Sequence, residues 1–182
     1  MGMARRAARA TGLAVAIALG ACSCSGSNAP AQTPKDVAVA FYKADATGDG
    51  KGKCALMTPA YQKVEVGVDS VDHPHPGSGT LADKCAKGAG RHPHGDASTV
   101  VAADGDTVNV PANCAHPAGI GVWVWKKQRA NDPSPTLEAV RVVKQSDGSW
   151  LVEHEADNPD PDKPLTTARL VNELSALSDG EC

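Results

Sequence analysis

Aromatic side chains are scarce in this 182-residue chain, which has one phenylalanine, two tyrosines and three tryptophans. A core must therefore be built mainly from aliphatic side chains and braced by other means. Long apolar runs are missing as well. Gly12 to Ala21 (GLAVAIALGA) is only half of the roughly 20 apolar residues that a spanning helix needs, which excludes a transmembrane anchor there. No Cys-x-x-Cys pair occurs, which argues against zinc held by four thiolates. There is no serine-nucleophile elbow, phosphate loop, zinc-hydrolase helix or internal repeat. Nor is there a basic excess. Eighteen Lys and Arg stand against 21 Asp and Glu, a net charge of −3, which argues against a nucleic-acid partner and against adhesion to anionic lipid.

What is present begins with an address. Arg5, Arg6 and Arg9 form a positive segment without an acid, and the short apolar run follows. Next comes Leu19-Gly20-Ala21-Cys22, which resembles the lipobox of bacterial lipoprotein precursors. An ordinary secretory cut after Ala21 fits less well, because Leu19 stands where a small residue is needed. The resemblance implies a signal peptide over 1–21 and cleavage before Cys22. It also implies a diacylglyceryl group, palmitate included, on the Cys22 sulfur. Such a lipoprotein is held on the extracytoplasmic face of the cell membrane, since a multiply acylated cysteine anchors stably. Removing residues 1–21 takes away three arginines and no acid, so the net charge of −3 becomes about −6. Residues 22–33 read as a flexible tether (Ser23 to Gln32 is SCSGSNAPAQ), and 34–182 as the folded domain.

Of the six cysteines, Cys22 is the attachment site and Cys24 lies in the tether with no core to join. Cys54, Cys85, Cys114 and Cys182 form an even set in an exported chain, which reads as two disulfides. Three connectivities are open. The favoured one joins Cys54 to Cys85 across a Gly/Pro-rich loop and Cys114 to Cys182, which ties down the C-terminal tail.

Pattern along the chain changes once, from period 3.6 to period 2. Thr33-Pro34 reads as a cap and first turn, and Val37, Ala40, Phe41 and Ala44 share one helical face that ends at Gly48. A second helix is expected near Lys53 to Met57, a third from Thr58-Pro59 through Tyr61 and Val64, and a fourth over Thr80 to Lys87. Val71 to Thr80 reads as loop. Strands are expected at Ser98–Ala102, Thr107–Val110, Gly119–Gln128, Thr136–Gln145 and Ser149–His154, joined by turn residues into an antiparallel meander. A final helix over Leu165 to Leu177 carries Leu170, Val171, Leu174 and Leu177 on one stripe. Helices first and strands afterwards indicate an α+β fold, with N-terminal helices packed on a curved antiparallel sheet and an extra C-terminal helix.

Two stretches carry a family resemblance. DVAVAFYKADATGDGKGKCALMTPAY resembles the opening of nuclear-transport-factor-2-like domains, the cystatin-like cone found in lipoproteins of high-GC Gram-positive bacteria. LEAVRVVKQSDGSWLVEHE resembles the closing hairpin of the same family. The resemblance covers about a quarter of the chain. It implies a cone-shaped cavity that serves ligand binding, catalysis or subunit pairing, and fold alone does not choose among them. The C-terminal helix and Cys182 depart from the basic cone, and over the cone mouth that helix would close the cavity.

The candidate chemistry is limited. His73 and His75, and His92 and His94, are two His-x-His pairs in Pro/Gly-rich loops; brought together they would suit copper or zinc, although such loops are also rich in His by composition alone. His116 and His154 stand alone in the sequence. Asp45 to Gly50 imitates the start of a calcium loop, but its twelfth place is Leu56 where a bidentate Glu is needed, so a helix cap and turn explain it better. Trp123 and Trp125 share one face of the long strand, as pocket lining or as core. No catalytic residue can be named and no cofactor is expected. The leading expectation is a non-enzymatic module binding a small ligand or a cell-envelope protein. A small isomerase, dehydratase or hydrolase of the same fold, or a His-loop metal-binding lipoprotein, are the alternatives.

Overall fold

The computed structural model describes residues 32–72, 78–90, 100–102, 107–126, 136–156, 160 and 162–176. Helix α1, Pro34–Thr47, starts on a capping box. The Thr33 hydroxyl accepts from the Asp36 amide and the Asp36 carboxylate accepts from the Thr33 amide at 2.8 Å. It ends at Gly48, whose φ of 69° is the left-handed cap that an L side chain resists. Its buried face carries Val37, Ala38, Phe41, Tyr42, Ala44 and Asp45.

Helix α2, Gly50–Ala55, begins earlier than the apolar pattern suggests, because the Asp49 carboxylate caps it by accepting from the Gly52 amide at 2.9 Å. The acid that imitates a calcium ligand in the sequence is thus a helix cap. Helix α3, Pro59–Asp72, runs two residues into the expected loop. Helix α4, Leu81–Ala89, opens on a second capping box, Thr80 with Asp83. A disulfide joins Cys54 of α2 to Cys85 of α4, with Cα atoms 6.0 Å apart and a separation of 31 positions in sequence. Closing a loop of that length stabilises by about 3–4 kcal/mol in the chain-entropy account. Cys114 is also disulfide-bonded. Cys22, Cys24 and Cys182 lie outside the described residues.

The sheet is antiparallel and open: β1 (Val101–Ala102), β2 (Val108–Val110), β3 (Gly119–Lys126), β4 (Thr136–Lys144) and β5 (Trp150–Glu155). Strands β3, β4 and β5 are successive neighbours. Strands β1 and β2 do not form the expected hairpin. Both pair antiparallel with β3, β1 at Val124 and Trp125 and β2 at Gly119 to Gly121, so they run in the same direction along one edge. The opposite edge is covered by the link between α2 and α3. There the Val152 amide donates to the Leu56 carbonyl at 2.7 Å and the Thr58 amide donates to the Val152 carbonyl at 2.8 Å. Capturing those edge groups leaves fewer of them to template association with another chain.

Register sorts the two faces. Val122, Val124, Val140, Val142 and Val152 form one cluster with Val37, Ala38, Phe41 and Tyr42 of α1. Burying each of the larger side chains contributes roughly 1.5–3 kcal/mol. Trp123, Leu137 and Ala139 form a second cluster with Leu170 and Leu174 of helix α5, Thr167–Ser175. The C-terminal helix therefore packs on the sheet face opposite α1. Gly121 makes room for it, since a Cβ there would sit 2.9 Å from Leu174 Cδ1 and 3.1 Å from Leu170 Cγ. Arg141, fully buried, donates to the Pro117 carbonyl at 2.9 Å and to the Leu174 carbonyl at 2.5 Å, which caps the end of α5. Ala31–Cys182 forms one compact unit, and among the described residues no helix is long and apolar enough to cross a membrane.

Candidate functional site

The apolar contact between α1 and the sheet gives way at one end to a network of charges. Asp45 reaches it because it follows Phe41 by four residues on the buried face of α1. Glu138 and Lys126 reach it because their strands place them on the face shared by Val140 and Val124. Lys53 comes from α2, Tyr61 and Glu65 from α3, and Glu155 from the end of β5. Six elements thus supply one cluster.

Its geometry is a chain of ion pairs. Lys53 Nζ lies 2.9 Å from Asp45 Oδ1 and 3.6 Å from Glu65 Oε1. Lys126 Nζ lies 3.0 Å from Glu138 Oε1 and 3.8 Å from Asp45 Oδ2. Asp45 is 7% and Lys53 8% exposed, so these charges are held largely out of water. Removing one partner of such a pair strands the other, which is why pairs of this kind are destabilising to break. The Tyr61 hydroxyl donates to Glu155 Oε2. Each ammonium also faces an aromatic ring: Lys53 Nζ is 5.3 Å from the centre of Phe41, and Lys126 Nζ is 5.0 Å from that of Tyr42.

The electrostatics follow from burial and sign. Burial raises the Glu138 carboxyl above the usual range, and Lys126 only partly opposes it. Burial works to lower the Lys53 ammonium, but Asp45, Glu155 and Glu65 outweigh it and hold the group above an ordinary lysine. Both tyrosines are pushed well above the ordinary phenol, first by burial and then by Glu155. Tyr42 is 1% exposed, and its hydroxyl meets the Glu155 carboxylate only in a loose contact, short of good hydrogen-bond geometry.

No protein-family model, curated protein or solved structure matches this chain. The site is therefore read from its own chemistry. Two ammonium groups, four carboxylates and two phenols can bind a polar guest or move protons. One signal for it is visible in the sequence, a charge sitting on an otherwise apolar face at Asp45 and at Glu138.

The residues singled out in the sequence lie elsewhere. Trp123 is 5% exposed beneath α5, with the Arg169 guanidinium carbon 5.1 Å from the centre of its ring, and Trp125 packs at the edge of the same cluster. Both belong to the α5 contact. His73, His75, His92 and His94 fall outside the described residues, and among the described residues no group of three or more His, Cys, Asp or Glu could hold a metal ion. His116 and His154, far apart in sequence, stack with ring centres 4.2 Å apart, and His116 Nδ1 lies 3.0 Å from Glu153 Oε1. A bulge in β5 makes that second polar cluster: Arg141 faces His154 and Val142 faces Val152, leaving Glu153 as the extra residue. A separate groove of about 410 Å³ runs between α1 and α2, lined by Ala40, Ala44, Gly52 and Leu56 and bounded by Lys43 and Asp49.

Proposed function

We propose that this protein is a lipid-anchored, extracytoplasmic binding module rather than an enzyme, tethered through Cys22 to the cell membrane. Leu19-Gly20-Ala21-Cys22, the preceding arginines and the short apolar run support the anchor. A nuclear-transport-factor-2-like cone is the finer reading of the α+β fold. It is supported by the aromatic-bearing first helix, the Cys54-Ala55-Leu56-Met57-Thr58-Pro59 run and the closing β4–β5 hairpin.

One observation carries the non-enzymatic reading. The sheet face where a cone enzyme would seat its substrate is occupied by Val37, Phe41 and Tyr42, and the six charges at its polar end are engaged with one another or with Tyr61. A carboxylate acting as general base would first have to leave its partner. The guest is a small polar molecule or a cell-envelope protein meeting the polar end.

The test has two arms. Wild type and Cys22→Ser are expressed, labelled with palmitate and fractionated. Label and membrane retention are expected in the wild type and absent in the variant; a variant that stays on the membrane contradicts the anchor. Native mass spectrometry of the detergent-extracted wild type is expected to show a retained guest. Turnover of a small ester or ketone that depends on Glu138 or Glu155 would replace binding with catalysis.

A further inference from the structure

The groove between α1 and α2 measures about 410 Å³, at the small end of the range for ligand sites. Ala40, Lys43, Ala44 and Thr47 follow one another at helical spacing, so one face of α1 forms one wall. Asp49, Gly52 and Leu56 form the other. Both walls are fixed before any guest arrives. The Cys54–Cys85 disulfide ties α2 to α4, and the Leu56 carbonyl accepts from the Val152 amide at 2.7 Å. Gly52 keeps its wall bare, because a Cβ there would collide with the Asp49 carboxylate. A site built in advance loses little freedom on binding.

Two opposite charges stand at the rim. Among the described residues the Lys43 ammonium has no ion-pair or hydrogen-bond partner, and the Asp49 carboxylate accepts only from the Gly52 amide, through Oδ1. Ala40, Ala44 and Leu56 supply the apolar surface. We propose that the groove binds a zwitterion of dipeptide size with an apolar side chain. Its ammonium meets Asp49, its carboxylate meets Lys43, and its side chain lies along Ala40, Ala44 and Leu56. Complementary charge selects this class, since a simple anion would also meet Asp49 and a simple cation would also meet Lys43. This is a second site that uses none of the residues at the charged end, so its failure would leave the binding reading there standing.

The experiment titrates the full chain in detergent with glycyl-leucine by isothermal calorimetry. Two analogues run in parallel: glycyl-leucinamide, which lacks the carboxylate, and N-acetylglycyl-leucine, which lacks the ammonium. Saturable binding of glycyl-leucine is expected, with each analogue weaker by about two- to fivefold, the effect of one charge pair at an exposed rim. Lys43→Gln should weaken glycyl-leucine by the same factor and leave glycyl-leucinamide unchanged. Asp49→Asn, which keeps a capping side chain for α2, should weaken glycyl-leucine and leave the acetylated peptide unchanged. Ala40→Leu should fill the groove and abolish binding. No saturable binding, analogues that bind as tightly as the zwitterion, or an Ala40→Leu protein that binds like wild type would overturn the proposal. A dimer that Ala40→Leu dissociates, with no peptide bound, would overturn it in favour of a second copy in the groove.

Discussion

Deleting one oxygen from each of the chain's two tyrosines tests the network residue by residue. The Tyr61 hydroxyl donates to the Glu155 carboxylate, and both residues are half-buried. A hydrogen bond to a charged group contributes about 1.5–3 kcal/mol, and partial solvent access places this one at the lower end. Tyr61→Phe should therefore cost about 1.5 kcal/mol. Tyr42 differs. Its ring packs edge-on against Phe41 with centres 5.1 Å apart and lies under Lys126, and both contacts survive in phenylalanine. Its hydroxyl makes only a loose contact with Glu155, short of good hydrogen-bond geometry, so Tyr42→Phe should cost less than about 1 kcal/mol. Urea unfolding followed through the three tryptophans, none of them mutated, measures the contrast. With a slope of about 2 kcal/mol/M, Tyr61→Phe should shift the midpoint down by about 0.7 M while Tyr42→Phe shifts it by less than about 0.5 M. Equal losses in both variants would refute the geometry assigned to Tyr42.

Other expectations follow from the same contacts. Because burial and Glu155 raise both phenols, and the acidic neighbours raise Lys53, the native state keeps protons that the unfolded chain gives up. The stability this provides is complete below about pH 10 and is lost as pH rises through the raised values. Absorbance at 295 nm should show tyrosinate only together with unfolding; a tyrosine ionising near pH 10 in the folded protein would contradict this. Leu174→Ala, which removes a fully buried contact of α5 with the sheet, should cost about 2–5 kcal/mol and shift tryptophan emission to the red as Trp123 is uncovered. Peptide mapping without reductant should yield Cys54 linked to Cys85, and is expected to yield Cys114 linked to Cys182.

Period and turn chemistry made most elements legible from sequence. The alternation Val122-Trp123-Val124-Trp125 correctly separates one face from the other, and Thr33, Gly48 and Gly148 mark real boundaries. Pairing was less legible. Asp104-Gly105 reads in the sequence as a hairpin turn, yet β1 and β2 both pair with β3, and nothing in the local residues announces that shared neighbour. The face taken by α5 was also hidden, because its leucine stripe states that it packs but not where. Gly121, read beside Leu170 and Leu174, is what admits it. The network was largely hidden because, apart from Asp45 and Glu138 on otherwise apolar faces, each member looks like an ordinary solvated charge. Only tertiary packing brings Asp45, Lys53, Lys126 and Glu155 together, and Glu153 turns inward through a bulge that the strand period does not announce.

The central claim, a module held to the membrane through one cysteine, is tested most directly by the mass of the N-terminal peptide of the mature chain. A peptide beginning at Cys22 and heavier by a diacylglyceryl group is the expected result. An unmodified peptide, whether it begins at Cys22, at Met1 or at another residue, would contradict the account.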